Sequence, residues 1–450
     1  MPAFPNRRPP QEQRCFLSPH IEQVNEEVSG AMADRELAWM FTNCFPNTLD
    51  TTVTLRRDPV SRPDTYVITG DIDAMWLRDS TAQVWPYLLF IERDRRLCEL
   101  IQGVIRRQVA CVRLDPYANA FYADPTKVSP WTTDQTDMKP GVHERKYELD
   151  SLCAVMRLAC GYFTASHGDL APFDAPWHAA MELILQTIRA EQAGTFEQPG
   201  SPYHFARVAS RATETMPLDG GQSHPIRRCG LSRSPFRPSD DATQLPFHVP
   251  SNAMAVVCLR GIGKLLTTTG ATVLAADATH LADEIDAGIQ QHAIAHHPTH
   301  GEILAYEIDG YGSRILMDDA NVPSLLALPY LGYCPKDDPL YRRTRGFILS
   351  PDNPYFSHGN AGRGVGGPHV GPGWIWPLSM IIQALTSDCD EEIRDCLGQL
   401  KQTHAGTGFI HESFWKDDAA KFTRAWFAWA NTLFGELILT LHRQRPHLLR

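Results

Sequence analysis

The sequence predicts an all-α fold, an (α/α)6 toroid, and three observations support this prediction. Apolar residues recur at helical spacing in twelve stretches of the chain. Short and long connections alternate between these stretches, and short connections join antiparallel neighbours. No sequence repeat of fixed length is present, which counts against a solenoid of helix pairs. The alternation places all long connections at one end, so that six helical hairpins surround an axis and present one loop-rich face.

The elements follow in order from the apolar pattern. The predicted helices cover residues 20–44, 80–92, 94–113, 147–168, 174–194, 251–268, 273–296, 322–331, 337–350, 374–387, 389–403 and 424–443. The long connections cover residues 45–79, 114–146, 195–250, 297–321, 351–373 and 404–423. A short apolar run at 66–69 indicates a strand, and we expect minor β-hairpins in the loops of this face. Residues 1–17, rich in Pro and Arg, are expected to be flexible, and residues 18–450 to form a single domain.

The composition excludes several classes of partner. The chain is 43% hydrophobic and 21% charged, with a net charge of −10, and it has no basic run of the kind that binds nucleic acid. No apolar window reaches the length of a membrane span, and the N-terminus lacks an apolar signal core. The eleven cysteines have no regular spacing, which favours reduced, buried thiols. We therefore expect a cytoplasmic monomer that binds neither nucleic acid nor membrane.

The stretch GDIDAMWLRD, residues 70–79, concentrates charged and aromatic groups in a loop before a helix. Such groups suit a sugar, because acids and arginine bind hydroxyls and an indole stacks on the apolar ring face. Asp73, Trp76, Arg78 and Asp79 are therefore candidate ligands. The alternative is a helix-capping acid with an Arg–Asp pair on the surface.

Paired carboxylates are the most economical chemistry for the other loops. Cleavage of a glycosidic bond needs one acid to protonate the leaving oxygen and a second to activate water or attack carbon. Asp240 and Asp241 are adjacent, and we expect their repulsion to raise the pKa of one of them, as a general acid requires. Helix capping is the alternative role for this pair. Glu412 lies among aromatic residues, and its alternative is a structural ion pair with Arg424.

Other familiar chemistries find little support. GRGVGG, residues 362–367, does not follow a strand into a βαβ unit, which excludes a nucleotide loop. No GxSxG motif is present. The loop histidines, His369 among them, lack the HExxH spacing, and Asp318 and Asp319 lack the spacing of an EF-hand. We expect no metal and no cofactor.

Eight longer stretches sharpen the hypothesis. They are TGDIDAMWLRDSTAQV (69–84), DPYANAF (115–121), ERKYELDSLC (144–153), FRPSDDA (236–242), PSNAMAVV (250–257), MDDANVPSLL (317–326), GPHVGPGWIWP (367–377) and AGTGFIHESFWKDDAAKFTRAWFAWANTLF (405–434). Through these stretches, which run in the same order over about residues 20–440, the chain resembles glycoside hydrolase family 125. The characterised members of that family are exo-acting α-1,6-mannosidases. The resemblance implies an (α/α)6 fold and metal-independent hydrolysis with inversion at the anomeric carbon.

The resemblance also implies roles for individual residues. The general acid falls on Asp240 and the general base on Glu412. The implied sugar ligands are Arg78 and Asp79, then Asp318, Asp319 and His369, with Arg237 reaching the leaving sugar. The chain departs from the family pattern at Asp73, where a proline is usual, around 370–374, and through extra residues near 219–233. These departures lie on rim loops and concern linkage preference and the second sugar site.

The sequence thus predicts an exo-acting α-mannosidase that removes terminal α-1,6-linked mannose from oligosaccharides or N-glycan fragments. Two alternatives stay open. A sugar epimerase or aldose–ketose isomerase on the same toroid would use histidines as proton shuttles, and here acids outnumber histidines in the loops. A non-catalytic glycan-binding protein would keep Trp76 but would not need both Asp240 and Glu412.

Overall fold

Fourteen α-helices and fifteen short strands form the regular structure of the residues that the computed structural model describes, which are 4–58, 60, 62–216, 218 and 220–450. The helices are α1 (Pro19–Ala31), α2 (Arg35–Cys44), α3 (Asn47–Thr51), α4 (Leu77–Val84), α5 (Arg95–Leu114), α6 (Leu149–Ala165), α7 (Ala175–Ala190), α8 (Val249–Thr268), α9 (Thr272–His292), α10 (Leu328–Leu331), α11 (Pro339–Ile348), α12 (Pro377–Leu385), α13 (Asp390–Gln402) and α14 (Ala428–Gln444). The prediction of a predominantly helical chain is confirmed, and small sheets are also present.

Some predicted helices differ in extent from the observed ones. The predicted helix 20–44 is two helices, because Asp34 leaves the helical conformation and its side chain accepts the amide hydrogens of Glu36 and Leu37 at the start of α2. Helix α4 gives way to a 3-10 turn, Trp85–Phe90, where Pro86 has no amide hydrogen to donate. Helix α10 is much shorter than predicted, since an earlier start would place Pro329 inside the helix.

The central helices pack against one another in series. Helix α4 packs against α6, α6 against α8, and α8 against α10, while α12 packs against α14 and α14 returns to α4. Fourteen of the twenty residues of α8 are buried, as expected for a helix surrounded by others. In α13, which packs against α12, the buried residues instead form one stripe: Ile393, Cys396, Leu397 and Leu400.

The described strands all lie in connections between helices. They are β1 (Val53–Arg57), β2 (Pro63–Val67), β3 (Met75–Trp76), β4 (Ala120–Phe121), β5 (Val142–Glu144), β6 (Phe247–His248), β7 (Ile294–His297), β8 (Gly301–Leu304), β9 (Glu307–Ile308), β10 (Arg314–Ile315), β11 (Phe356–His358), β12 (Arg363–Val365), β13 (Trp374–Ile375), β14 (Ser413–Trp415) and β15 (Asp418–Thr423). They pair antiparallel as β1–β2, β3–β4–β5, β10–β9–β6, β7–β8, β11–β12 and β13–β14–β15. Strands β3, β6 and β13 end within two residues of α4, α8 and α12, so each small sheet fixes the start of a central helix.

The N-terminal segment contacts the helices through Arg8. Its guanidinium lies 2.5 Å from Glu22 Oε1 on α1 and 2.7 Å from Asp50 Oδ2 on α3. Residues 1–3 of the predicted flexible segment, and residue 219 of the extra residues near 219–233, lie outside the described residues. The division into a segment 1–17 and one domain stays a prediction. Among the described helices, none combines the length and the apolar character needed to cross a bilayer.

The contact between α5 and β2 depends on a glycine. A Cβ at Gly103 would lie 2.8 Å from the backbone nitrogen of Thr65. Gly398 in α13 has nothing within 4 Å of the corresponding position. We expect Gly103→Ala to lower the free energy of unfolding by about 1–3 kcal/mol through overpacking, and Gly398→Ala to raise it by about 0.4–1 kcal/mol. Urea denaturation of both variants measures this, and equal effects would contradict the packing.

Candidate active site

A cavity of about 390 Å³ lies where the long connections meet the starts of α4, α12 and α14. Trp76, Trp376 and Phe427, the residues immediately before these three helices, line it. The full lining consists of Thr69, Ile72, Trp76, Arg78, Asp79, Pro238, Ser239, Asp240, Asn321, His369, Trp376, Glu412, Arg424, Phe427 and Trp429. The positive ends of helix dipoles therefore face this cavity and favour negative groups in it.

The structure brings many of the predicted site residues together. Those that line the cavity are Trp76, Arg78, Asp79, Asp240, His369 and Glu412. Those that do not line it are Asp73, Arg237, Asp318 and Asp319.

Asp73 and Arg237 make other contacts. The Asp73 side chain is 71% exposed and its carboxylate lies 2.6 Å from Lys127 Nζ. Arg237 is buried and donates to Glu307 Oε1 at 2.6 Å. Glu307 also accepts the amide hydrogens of Gln244 and Leu245. Arg237 thus anchors the loop that carries Asp240 to β9.

Asp318 and Asp319 are buried and bind the backbone next to them. Asp318 accepts the amide hydrogens of Leu325 and Leu326 at 2.9 and 3.0 Å. Burial nonetheless raises the pKa of Asp318 to about 8. Asp319 accepts hydrogen bonds from the backbone and side chain of Asn321, a residue that lines the cavity. Through these bonds the two acids order the wall of the cavity beside Asn321.

The side chains of Asp240 and Asp241 lie in different surroundings. Asp240 lines the cavity, and its side chain is 27% exposed. Asp241 is buried, accepts a hydrogen bond from Ser239 Oγ at 2.8 Å, and lies 3.5 Å from His369 Nδ1. Asp240 adopts φ = 65°, in the left-handed region, which Asp tolerates better than most residues. Of the two adjacent acids, Asp240 is therefore the one available to a ligand.

The expectation that adjacency raises a pKa in this pair is wrong. Burial would raise the pKa of Asp240, but the charge of Arg78, a hydrogen bond with Glu148 and the charge of Lys146 outweigh burial and lower it. Burial would also raise the pKa of Asp241, but His369 outweighs it. These cationic neighbours come from distant parts of the chain, so the sequence around the pair does not indicate them.

The guanidinium of Arg78 is the centre of a buried ion network. Its Nη1 donates to Glu148 Oε2 at 2.5 Å and to Asp150 Oδ2 at 3.1 Å, both at the start of α6. Its Nη2 donates to Asp240 Oδ1 at 3.4 Å. Asp79 lies beside it, and burial raises the pKa of Asp79 to about 6. Arg78 therefore holds acids from α4, from the start of α6 and from the connection before α8 close together.

Glu412 is held on another side of the same cavity. Its Oε1 accepts from Arg424 Nη1 at 3.2 Å and its Oε2 accepts from Thr423 Oγ1 at 2.9 Å. Arg424 also binds Asp71, with the shortest contact at 2.6 Å. Glu412 therefore both lines the cavity and forms the ion pair with Arg424 that the sequence offered as the alternative.

Sequence reasoning missed several aromatic residues of the lining. Trp376 and Trp429 lie within predicted helices, where an apolar residue is expected to face the core. Phe427 precedes α14 directly. The available signal was their position: an aromatic residue at or within two residues of the start of a helix that follows a long connection.

One group of side chains among the described residues offers three metal-type ligands. His297, His300 and Asp352 place their ligand atoms within 4.8 Å of one another. None of the three lines the cavity.

Comparison with known proteins gives consistent matches. The family model of metal-independent α-mannosidases (GH125) matches residues 34–439. The meiotically up-regulated gene 157 protein of Schizosaccharomyces pombe is 44% identical over 463 residues, covering 99% of this chain and 90% of that protein.

Solved structures agree. A metal-independent α-mannosidase of Streptococcus pneumoniae, in a non-productive complex with α-1,6-mannobiose, matches with a TM-score of 0.90 and 39% identity, covering 96% of this chain and all of that one. A bacterial glucoamylase complexed with acarbose matches with a TM-score of 0.52 and 13% identity, covering 84% of this chain and 50% of that one, a likeness of fold alone.

Taken with these matches, the helical fold and the acid-lined cavity define a glycoside hydrolase. The chain belongs to glycoside hydrolase family 125, the metal-independent α-mannosidases. The predicted membership is confirmed.

The contact between Asp241 and His369 predicts a shift in the titration of His369 that can be measured. Burial would lower the pKa of His369, but Asp241 outweighs burial and raises it to about 9. We expect Asp241→Asn to lower this pKa, as measured by an NMR titration of the His369 ring protons. The exposed control Asp283→Asn should leave it unchanged, and an unchanged titration in Asp241→Asn would contradict the assignment.

The same pair contributes to stability in a defined pH window. The pKa of His369 is about 9 in the folded state against an ordinary 6.5, so its contribution is complete below pH 6.5 and is lost as the pH rises through 9. We therefore expect the difference in unfolding free energy between wild type and Asp241→Asn to shrink over this window, as measured by urea denaturation at a series of pH values.

Proposed function

We propose that this chain is an exo-acting α-1,6-mannosidase that inverts the anomeric carbon, with Asp240 as general acid and Glu412 as general base. The observation that carries the proposal is that both carboxyl groups line one cavity, although one precedes α8 and the other precedes α14. An inverting hydrolase needs such a pair on opposite faces of one sugar ring, with room for a water molecule between.

In the proposed reaction Asp240, when protonated, gives its proton to the bridging oxygen as the bond to the anomeric carbon breaks. Glu412 removes a proton from the water that attacks the opposite face of the ring. Thr423 and Arg424 each occupy one oxygen of Glu412, so they fix the orientation of its carboxylate. Such fixed geometry reduces the entropy that the reaction must lose.

Sugar recognition fits the rest of the lining. Trp76, Trp376 and Trp429 offer apolar faces to a pyranose ring, while Arg78 and Asp79 offer groups that bind hydroxyls. His369, held protonated by Asp241 below about pH 9, adds a cationic donor. The remaining predicted ligands do not line the cavity, and their roles stay predictions. They would contact a sugar only if it extends beyond this lining; they are Asp73, Arg237, Asp318 and Asp319.

The proposed exo action rests on the resemblance to the family, and the proposed linkage rests on a relative. The S. pneumoniae enzyme, 39% identical to this chain, was captured with α-1,6-mannobiose. We infer that the substrates are α-1,6-mannosides at the ends of oligosaccharides or N-glycan fragments.

The proposal extends to the architecture and setting. The series α4, α6, α8 and α10, with α12 and α14 returning to α4, supports the inner ring of an (α/α)6 toroid. The eleven cysteines are all free thiols in the structure, which supports a reducing, cytoplasmic location. A monomer without nucleic-acid or membrane partners remains our expectation.

Hydrolysis of α-1,6-mannobiose tests activity, linkage and stereochemistry together. We expect proton NMR to show β-mannose as the first product, because inversion of an α-linkage yields the β-anomer. Appearance of α-mannose first would contradict inversion. Conversion of free mannose to another sugar, without hydrolysis, would instead support the epimerase or isomerase.

Amide replacements test the two acids. We expect Asp240→Asn and Glu412→Gln each to lower kcat on α-1,6-mannobiose by about 10²-fold or more, because each removes a proton-transfer group. Matched controls are Asp283→Asn and Glu302→Gln, whose side chains are 64% and 68% exposed and which should keep wild-type kcat. A variant at Asp240 or Glu412 with near-normal turnover would remove that residue from its role.

A further inference from the structure

The stretch ERKYELDS, residues 144–151, supplies a buried carboxyl group that the proposed mechanism does not use. Glu148 is the residue immediately before α6 and is 1% exposed. Its Oε2 accepts from Arg78 Nη1 at 2.5 Å and from Ser151 Oγ at 2.8 Å, and its Oε1 accepts from Asn119 Nδ2 at 3.3 Å. A fully buried glutamate with this many partners is costly to place unless it is paired.

Glu148 lies side by side with Asp240. The same Asn119 Nδ2 lies 3.4 Å from Asp240 Oδ1, and the same Arg78 guanidinium contacts both carboxyl groups. The two carboxyl groups therefore share the same two donors, Asn119 and Arg78. Two carboxyl groups gathered around the same donors can also bond to each other if one of them carries a proton.

The acidic groups around this pair outnumber the cationic ones, which favours a retained proton. Arg78 carries one positive charge, and the carboxyl groups of Asp79, Glu148, Asp150 and Asp240 all face it. Lys146 donates to the backbone oxygen of Asp240 and also faces Glu144. The imidazole of His369 faces Asp240 from the loop before α12.

The surroundings of Glu148 and Asp240 shift the pKa values of the two groups in opposite directions. Burial, together with the neighbouring charges of Asp240 and Asp150, raises the pKa of Glu148 despite Arg78. The pKa of Asp240 is lowered, as described above. The two pKa values are thus shifted in opposite directions, and interacting carboxyl groups of this kind titrate as a pair.

We propose that Glu148 is the positioning residue of the general acid: it and Asp240 hold one proton between them, and the charge left on Glu148 keeps that proton available when Asp240 acts. This inference rests on the proposed function and adds a source for the proton.

The step balances as follows. With the substrate bound, the proton occupies Asp240, and Glu148 is ionised against Arg78. The bond between the anomeric carbon and the bridging oxygen breaks, its electron pair stays on the oxygen, and that oxygen takes the proton from Asp240. Water bonds to the carbon and gives a proton to Glu412. Glu412 then releases this proton to solvent, and the Glu148–Asp240 pair takes one up.

The test compares two substrates that differ in their need for an acid. α-1,6-Mannobiose has a poor leaving group that must be protonated, whereas 2,4-dinitrophenyl α-mannoside has a leaving group that departs as an anion. We expect Glu148→Gln to lower kcat/KM at pH 7 by about 10²-fold on mannobiose and by less than about tenfold on the aryl mannoside. Asp240→Asn should show the same pattern.

The pH profile provides the second measurement. Glutamine carries no charge, so Arg78 acts on Asp240 unopposed and lowers its pKa further. The alkaline limb of kcat/KM on mannobiose should therefore move to lower pH in Glu148→Gln. Glu148→Asp keeps the charge with a shorter reach, and should show a smaller loss with the same dependence on the leaving group.

Glu191→Gln is the matched control, because Glu191 is also buried but its side chain pairs with Tyr117, Ser201 and Arg233, not with Arg78. It should leave the ratio of the two substrates and the pH profile unchanged. Equal losses on both substrates in Glu148→Gln, or in Glu148→Asp if the glutamine variant does not fold, would overturn the inference, as would an unmoved alkaline limb. Absence of hydrolysis by the wild type would instead overturn the proposed function.

Discussion

The buried guanidinium of Arg78 is the contact on which the site depends. It lies in the first turn of α4 and binds Glu148 and Asp150 at the start of α6, and Asp240 in the connection to α8. Removing one partner of a buried ion network leaves charges uncompensated, at a typical cost of about 3–5 kcal/mol. One side chain therefore joins consecutive central helices and also lowers the pKa of Asp240. The same charged side chain thus contributes to the packing of the helices and to the chemistry of the site.

Much of the helical arrangement could be predicted, because burial leaves a periodic trace. The stripe of α13 and the apolar α8 are both visible in the sequence, and the alternation of connections shows which ends carry the loops. The boundaries of the helices were harder to predict. The split before Arg35 depends on the side chain of Asp34, and the short α10 depends on Pro329, and each is a single local interaction within a continuous apolar pattern. Two-residue strands such as β3 have no period to detect.

For the site, the residue types in the sequence identified candidate residues, but the sequence did not show which of them lie next to one another in the fold. Asp240 and Glu412 were predicted to lie together because acids in rim loops and a family resemblance pointed to them, and both line the cavity. The pKa directions were not predictable, since they depend on Arg78 and His369, which approach from other connections. Glu148 was hidden for the same reason: in sequence it is one acid of a charged motif, and only the donors that it shares with Asp240 distinguish it.

The left-handed backbone at Asp240 restricts which acid can occupy that position. Chemically, a glutamate donates a proton as well as an aspartate does. Conformationally the two are unequal, because a short polar side chain can bond to its own backbone at φ = 65°, whereas most longer residues lose roughly 1–2 kcal/mol there. This position therefore requires both a side chain that tolerates a left-handed backbone and an acidic group, and aspartate meets both requirements. Asparagine preserves the turn while abolishing acidity, which makes it a faithful probe of the chemistry, whereas alanine would disturb shape and reactivity at once.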